Sequence, residues 1–241
     1  SAAASEPAPT SISLKYDLVD ETYVNKNISI RYPQMTALGN SSKQDHINQL
    51  LKNDALKILS NYRQWAAFTS KPFEDVVSTS IDYAVKWQGA NLLSIAYSGH
   101  SVLDGTRTER DFHTINLDLN AESELALKDF VNIDRRFADY FVNKAFLSKS
   151  SLSSEPEDNQ MITQEFYDSL DFLYGISSAP KYDELIAYLS ETDSKNTDSI
   201  VTSCDFSYIT DDSLGIAVMV SRAAGNYSEF EINLKDIKDS L

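Results

Sequence analysis

The residues best suited to chemistry in this 241-residue chain lie around a polar connection between two strand-like runs. His100 and His113 flank the connection, and Glu109 and Asp111 lie between them. If the two runs pair as a hairpin, the imidazoles approach one another beside carboxylates, which could hold a metal ion or transfer protons. Alternation, however, places His113 on the strand face opposite Phe112. Two surface histidines at strand ends are therefore the favoured interpretation.

The same connection, from about Ser101 to Arg110, is predicted to be a long loop inside the meander. Binding residues tend to lie on loops that a rigid scaffold holds. The candidate ligand-binding residues on it are Asp104, Gly105, Arg107 and Arg110. The two arginines could pair with carboxylates of a protein partner or with the surplus acids of this chain, and both alternatives stay open.

Other catalytic signals are missing from the sequence. It contains no G-x-S-x-G, H-E-x-x-H or C-x-x-C motif, and its 7 glycines do not cluster into a phosphate-binding loop. Asp211 and Asp212 fall in a turn, where Asp is favoured for hydrogen bonding to the backbone. The single cysteine, Cys204, lies among apolar residues and is interpreted as a core thiol. No catalytic residue, metal ligand or cofactor is predicted.

Charge and hydropathy exclude two classes of partner. A formal net charge of -15 opposes binding to nucleic acid and to anionic lipid. No apolar run reaches the roughly 18 residues that span a bilayer, so the chain is predicted not to cross a membrane. Its start, SAAASEPAPT, predicts a flexible linker over residues 1–10. Loss of a leader or anchor is the expectation there, and an arbitrary boundary is the alternative.

The elements that must position these residues follow from periodicity. Residues 12–16 and 28–32 alternate and predict two paired strands, the second ending at Pro33. Ser41 and Gln44 have capping-box spacing and predict a helix that runs to Tyr62 or Phe68. His46, near its start, is expected to be solvated. Three runs at 81–88, 93–97 and 112–119 then predict a β-meander.

The second half continues the same mixture of helices and strands. A helix capped by Asp134 is predicted to run to Leu147, followed by a polar loop over 148–160. Helical runs at 162–174 and 182–189, a loop over 190–199, three strands around 206–208, 216–220 and 230–232, and a closing helical turn at 234–241 complete the chain. The predicted fold class is α+β, with antiparallel β-sheet meanders covered by amphipathic helices. One core is expected to bury Leu51, Leu59, Tyr83, Val85, Ile95, Tyr97, Ile115, Leu117, Phe137 and Phe141.

Two segments resemble known family patterns. The run from NISIRYPQ through LLSIAYSGHS to NLDL resembles the N-terminal module of extracellular domains in PdaC-type peptidoglycan deacetylases and RsiV-type anti-sigma factors. The run FSYITDDSLGIAVMVSRAAGNYSEFEINLKDI is similar to the C-terminal module that follows it. The resemblance implies modules at 11–119 and 120–241, packed as one unit. Where the family often has a Gly-Gly-Ala-His-like stretch, this chain reads Asp104-Gly105-Thr106-Arg107.

The resemblance also implies a location and a function. It implies a non-enzymatic extracellular domain of a Gram-positive bacterium, anchored to the cell membrane through a preceding segment, that binds or senses a ligand. In RsiV-type proteins that ligand is lysozyme, and an acidic surface suits such a basic protein or cell-wall material as partner. A cell-wall glycan hydrolase with paired carboxylates and a structural spacer domain are the alternatives.

Overall fold

The computed structural model describes residues 15–151, 154–174, 181–194, 206–219 and 227–241. These residues form an α+β fold in which helices accompany one six-stranded and one four-stranded sheet, as the sequence predicted. The predicted linker 1–10, the strand residues Ile12 and Leu14, the turn at 224–226 and Cys204 lie outside the described residues.

The six-stranded sheet contains the predicted meander. Its strands, in spatial order, are β1 (Asp17–Asn25), β2 (Ile28–Thr36), β3 (Val77–Gln88), β4 (Leu92–Leu103), β5 (Arg107–Asp118) and β6 (Ser123–Leu125). Neighbours are antiparallel except β2 and β3, which are parallel. Each meander strand is longer than predicted, because β4 and β5 extend into the segment that the sequence analysis assigned to a loop.

The first hairpin is displaced from its predicted position. Its first described strand is Asp17–Asn25; of the predicted strand 12–16 the structure describes only Lys15 and Tyr16, which precede β1. Lys26 and Asn27 form the two-residue turn, with Lys26 at φ 49°. The prediction was wrong because β1 carries three acids and mostly exposed side chains, so no apolar alternation marks it.

The pairing of β2 with β3 stops early, although β2 continues past Pro33 to Thr36. Only Ile28–Ile30 pairs with Thr79–Ile81. Pro33 has no N–H, and the Asn48 side chain occupies the backbone of Met35, accepting from its N–H at 2.6 Å and donating to its carbonyl at 2.9 Å. The strands therefore separate beyond Ile81.

This separation exposes one residue that was expected to be buried. Val85, on β3 beyond the paired segment, is 41% exposed, and Tyr83 is only half-buried. Both had been assigned to the core from alternation alone. Alternation gives the face of a strand, but burial also requires a neighbouring strand or helix.

The helices of the first half are α1 (Ser41–Leu56), α2 (Ile58–Ala67) and α3 (Phe73–Val76). The long predicted helix is thus interrupted at Lys57. The N-cap is Asn40, not Ser41: its side chain accepts from the N–H of Lys43 at 3.1 Å. Gln44 does point back, but it accepts from the N–H of Leu38 at 3.2 Å.

The second half contains α4 (Leu127–Phe130), α5 (Arg135–Lys144), β7 (Phe146–Leu147), α6 (Pro156–Tyr174), α7 (Tyr182–Ser190), β8 (Phe206–Ile209), β9 (Ser213–Met219) and β10 (Tyr227–Asn233). The predicted N-cap is confirmed, since Asp134 accepts from the N–H of Phe137 at 2.9 Å. Two predictions were wrong: α5 ends before Leu147, and α6 begins inside the loop predicted for 148–160. The closing segment 234–241 forms turns rather than a helix.

The expected single core is divided among the described residues into two large clusters and two small ones. Ile28, Ile30, Leu51, Leu59, Ile95, Tyr97, Ile115 and Leu117 belong to a cluster between the six-stranded sheet and α1. Phe137, Phe141, Phe166, Ile216 and Phe230 belong to a second cluster around the four-stranded sheet. The face of β4 and β5 that meets the second half lies between the two large clusters. It carries Ser94, Thr114 and Asn116, which bond to β8, and a small apolar cluster of Ala96 and Phe112 with Ala217.

Candidate functional site

The connection predicted to be a long loop is a three-residue turn. β4 ends at Leu103 and β5 begins at Arg107, with Asp104 and Gly105 both at positive φ. The Asp104 N–H donates to the Val76 carbonyl at 2.7 Å, and the Asp104 carboxylate accepts from Lys71 at 2.7 Å. The turn is therefore hydrogen-bonded to the segment 71–76, which precedes β3.

The four candidate binding residues do not share one surface feature. Asp104 and Gly105 form the turn, whereas Arg107 starts β5 and pairs with Glu109 of the same strand. Arg110 lies opposite His100 in the ladder, and its guanidinium is 5.3 Å from the centre of the Tyr227 ring. The structure thus provides contacts within the chain for both arginines, and a ligand at these residues stays a prediction.

The two histidines of the connection lie in different environments. His100 is exposed, whereas His113 is 2% exposed and stacks on Tyr97 at 4.7 Å between ring centres. The surface assignment for His113 was wrong because its strand face is the one that α1 covers. Its Nε2 lies 3.1 Å from the Asp54 carbonyl oxygen, and burial holds the pKa of its imidazole well below the usual range. His113 is a neutral core residue at pH 7.

A buried carboxylate lies close to the other side of this core. Asp111 accepts hydrogen bonds from the hydroxyls of Tyr62 and, at 2.5 Å, Ser101. Thr79 extends the network, with its oxygen 3.0 Å from that of Ser101. Burial raises the pKa of Asp111, and the two hydroxyl donors oppose that shift. The network ties α2 to three strands.

A second polar cluster joins the two halves of the molecule at β8. Asp193, after α7, accepts from the N–H and the hydroxyl of Ser207 and from the N–H of Leu127. The Ser207 carbonyl accepts from Thr114 at 2.6 Å and from Asn116 at 2.9 Å. Burial raises the pKa of Asp193 to about 6 against these lowering contacts. These hydrogen bonds satisfy the N–H and the carbonyl of Ser207 on the outer edge of β8.

An ion pair forms the third cluster, also between the halves. Lys86 of β3 and Glu229 of β10 are 2.6 Å apart, with 13% and 8% of their side chains exposed. The ammonium lies 4.2 Å from the centre of the Tyr208 ring, and the Tyr208 hydroxyl donates to Glu231 at 2.9 Å. Tyr208 can lie flat there because Gly215 has no Cβ, which would come within 2.1 Å of the ring. The cluster fixes β3 against the second sheet.

The first strand of the sheet exposes several acidic side chains to solvent. Strand β1 carries Asp17, Asp20 and Glu21, all exposed, and no Lys or Arg. Asp20 accepts hydrogen bonds from the Tyr83 hydroxyl and, at 2.9 Å, from Arg31. Both bonds lower the pKa of Asp20, and the bond from Tyr83 has the larger effect. The side chains of Asp17 and Glu21 remain available to a ligand.

Apolar side chains accompany these acids. Val19 and Val24 of β1 are 44% and 67% exposed. We take β1, with its three acids and two exposed valines, as the candidate binding site and call it the β1 surface. Within the described ranges, no group of three or more His, Cys, Asp or Glu could hold a metal ion. In the same part of the chain, no helix is long and apolar enough to cross a bilayer.

The sequence contained one signal for the β1 surface that the periodicity analysis passed over. Thr22, Tyr23 and Val24 are good strand formers, and they fall in β1. The turn after them gives no such signal, because its residue at positive φ is Lys26 rather than Asn or Gly. Strand propensity therefore indicates β1 where alternation does not.

The chain was also compared with known proteins. No protein-family model matches it, and no curated protein does. It is similar to a DUF3298 family protein from Pseudomonas aeruginosa PAO1, with 11% identity over 94% of each chain and a TM-score of 0.44. It is also similar to a DUF3298 family member from Bacteroides fragilis NCTC 9343, with 12% identity over 95% of this chain and 94% of that one and a TM-score of 0.45. DUF3298 is a family of unknown function; the resemblance to PdaC-type and RsiV-type modules stays a prediction.

Proposed function

We propose that this protein is a non-enzymatic binding domain of the cell envelope, located outside the cytoplasmic membrane, whose ligand is a basic protein of the lysozyme type. The observation that carries the proposal is the β1 surface: three exposed carboxylates on one strand with no cation on it, in a chain of net charge -15. Such a surface attracts a cationic partner and raises its association rate. The location rests on the family resemblance.

The charge on β1 is only partly neutralised by the chain itself. Arg31 donates to Asp20 and, at 2.7 and 2.9 Å, to both oxygens of Asp82, so one guanidinium serves two carboxylates. The hydrogen bonds made by the side chains of the described residues leave Asp17 and Glu21 without such a cation. These two carboxylates are the contacts that we assign to the basic ligand.

Titration of the purified chain with lysozyme tests the proposal. We expect binding at low ionic strength that weakens steeply with added salt, because exposed charge pairs are screened. Cytochrome c, a basic protein of similar size, is the control for non-specific attraction. No detectable binding of lysozyme at low salt, or equal binding of the two proteins, would sink the lysozyme assignment.

A matched pair of variants locates the site. Asp17→Asn with Glu21→Gln removes two charges from β1, and we expect affinity to fall about threefold to tenfold, since exposed pairs contribute up to about 1 kcal/mol each. Asp183→Asn with Asp211→Asn removes two exposed charges from the second half and is expected to change affinity much less. Equal losses in both would mean that only the overall charge of the molecule acts.

A further inference from the structure

The backbone of β1 has an outward edge whose polar groups can be identified. The N–H and the carbonyl of Met35 both bond to the Asn48 side chain, so they point away from β1. Met35 stands opposite Leu18, and this pair is therefore a non-hydrogen-bonded pair of the antiparallel ladder. Because the two kinds of pair alternate, Leu18, Asp20, Thr22 and Val24 direct their N–H and C=O groups outward.

No bond made by the described residues engages these outward groups. β1 stands at the end of the sheet order, so no described strand pairs with its outer side. The remaining polar contacts of the described backbone lie elsewhere in the chain. The edge thus offers up to four donors and four acceptors along one nine-residue strand.

The other sheet edges differ from this one. The outer edge of β8 is closed by side chains: Ser207 bonds to Asp193, Thr114 and Asn116, and the Ile209 N–H donates to Ser94 at 3.1 Å. Strands β6 and β7 have three and two residues, too short to hold an added strand firmly. Of the four terminal strands of the two sheets, β1 alone is both long and open; β3 beyond Ile81 and β5 before Asn116 also have one side without a pairing strand.

Proteins commonly protect such an edge with lysine, proline or a bulge. β1 contains neither Lys nor Pro, and its register with β2 is continuous over all nine residues. Asp17, Val19 and Glu21 share one face, because side chains alternate along a strand. An added strand would therefore meet an acid, an apolar residue and an acid at successive same-face positions.

We propose that the β1 edge binds an extended segment of another protein as an additional strand, and that this segment carries Lys or Arg, an apolar residue, and Lys or Arg at alternate positions. Main-chain hydrogen bonds would supply affinity, and the side chains on this face would supply selectivity. The sign of the partner's charge rests on the proposed function, while the strand addition does not. A second copy of the chain is disfavoured, since two β1 strands would bring like charges together.

A short peptide tests the edge directly. The probe is the labelled peptide T-K-T-V-T-K-T, with its ends blocked, and the readout is fluorescence anisotropy with the full chain. The matched control is the same peptide with methyl groups on its internal amide nitrogens, which keeps the charge but cannot donate to the β1 backbone. We expect the methylated peptide to bind at least about tenfold more weakly, a difference of about 1.4 kcal/mol.

Two variants test the same edge from the protein side. Thr22→Pro removes one outward N–H and leaves the bonds between β1 and β2, and Pro is tolerated on edge strands in that orientation. Val19→Lys keeps the backbone and places a like charge on the face of β1 that meets the peptide's lysines. We expect each to weaken peptide binding by about tenfold or more, with circular dichroism confirming that the sheet is retained. NMR shifts at Leu18, Asp20, Thr22 and Val24 should follow the titration.

Several outcomes overturn the strand addition. Equal binding of the two peptides, or unchanged affinity in Thr22→Pro, would mean that charge alone acts. A dimer that Thr22→Pro abolishes would assign the edge to a second copy. Peptide binding that appears only after residues 1–14 are removed would assign it to the chain's own N-terminal segment.

The result for lysozyme separates this inference from the proposed function. If lysozyme binds the wild type and Thr22→Pro equally, the proposed function stands and the edge assignment fails. If the peptide binds as expected and lysozyme does not bind at all, the edge assignment stands and the lysozyme assignment fails.

Discussion

Asp111 is a buried carboxylate that accepts hydrogen bonds from two hydroxyl groups, those of Tyr62 and Ser101. Tyr62→Phe removes one of them while preserving the ring. We expect this variant to lower the free energy of unfolding at pH 7 by about 1.5 to 3 kcal/mol, the usual range for a hydrogen bond to a charged group. Urea denaturation measures it.

The matched control is Tyr182→Phe, which removes a similar bond from an exposed site. The Tyr182 hydroxyl donates to Asp139 at 2.9 Å where both groups reach solvent. We expect a change below about 0.5 kcal/mol there, because water replaces the lost donor. Equal effects of the two variants would mean that Asp111 is hydrated in solution.

Asp193 predicts a pH dependence of stability. Burial raises its pKa to about 6, above the value of about 3.8 in an unfolded chain. The folded state therefore holds the proton more tightly, so the associated stability is fully present below about pH 4 and is lost as the pH rises through about 6. We expect the stability advantage of the wild type over Asp193→Asn to be greatest near pH 4 and to shrink toward pH 7.

Denaturation of both proteins in urea across that pH range measures this difference. The titration of His113 and of the other acids is common to the two proteins and cancels in it. A stability advantage that is constant with pH, or that grows toward pH 7, would mean that the three hydrogen bonds to Asp193 lower its pKa at least as much as burial raises it.

At the scale of elements, α1 tests which residue caps its N-terminus. The sequence spacing indicated Ser41, whereas the structure has the Asn40 side chain on the Lys43 N–H. We expect Asn40→Ala to cost about 0.5 to 2 kcal/mol and Ser41→Ala to cost little, since only the true cap satisfies an N–H of the first turn. Thermal or urea unfolding of the two variants measures these costs. A larger cost for Ser41→Ala than for Asn40→Ala would mean that Ser41 is the N-cap, as the sequence spacing indicated.

Elements with an apolar face were the ones that the sequence predicted well. The meander strands and β8 to β10 alternate because one face is apolar and packs in a hydrophobic cluster, even where the other face is buried as well, as in β4, β5 and β9. The run after Asp134 has a clear apolar stripe with a cap. The start of β5 escaped because residues 107–110 are mostly exposed on both faces. The end of β4 escaped because its buried face there includes a polar residue, Ser101, beside Leu103. A strand that is solvated on both faces carries no period-two signal, and the same reason hid β1.

The polar contacts between the halves could not be predicted from local patterns. Ser94 and Ile209 are 115 residues apart, and Lys86 and Glu229 are 143 residues apart. Each residue by itself is an ordinary polar position of a strand. These residues meet only when one sheet packs on the other, so the polar contacts between the halves could be identified only from the structure.

For the molecule as a whole, the two hydrophobic clusters raise the question of whether the halves unfold together. Phe112 packs on Tyr227 at 4.6 Å between ring centres, and Thr114 and Asn116 bond to β8. These contacts join the first sheet to the second along several strands. We infer that the two halves form one cooperative unit although each has a large hydrophobic cluster of its own.

The Lys86–Glu229 pair provides the test of that unit. Lys86→Met leaves a buried carboxylate with Ser150 as its remaining donor at 3.0 Å, and breaking a buried pair from one side costs about 3 to 5 kcal/mol. Combining Lys86→Met with Glu229→Gln should cost less than the sum of the single variants, by about 0.5 to 3 kcal/mol, because the pair is lost only once.

The two tryptophans report different places: Trp65 the first half, and Trp87 of β3 the contact between the first half and the second. Trp65 packs beside α3, and Trp87 packs against the cluster of the second sheet. In proteins that retain one of them, with Phe at the other position, we expect coincident unfolding in the wild type. In Lys86→Met both transitions should move to lower urea together, because the contacts to β8 still couple the halves. A shift confined to the Trp87 signal, or a second transition in the wild type, would show that the modules unfold independently.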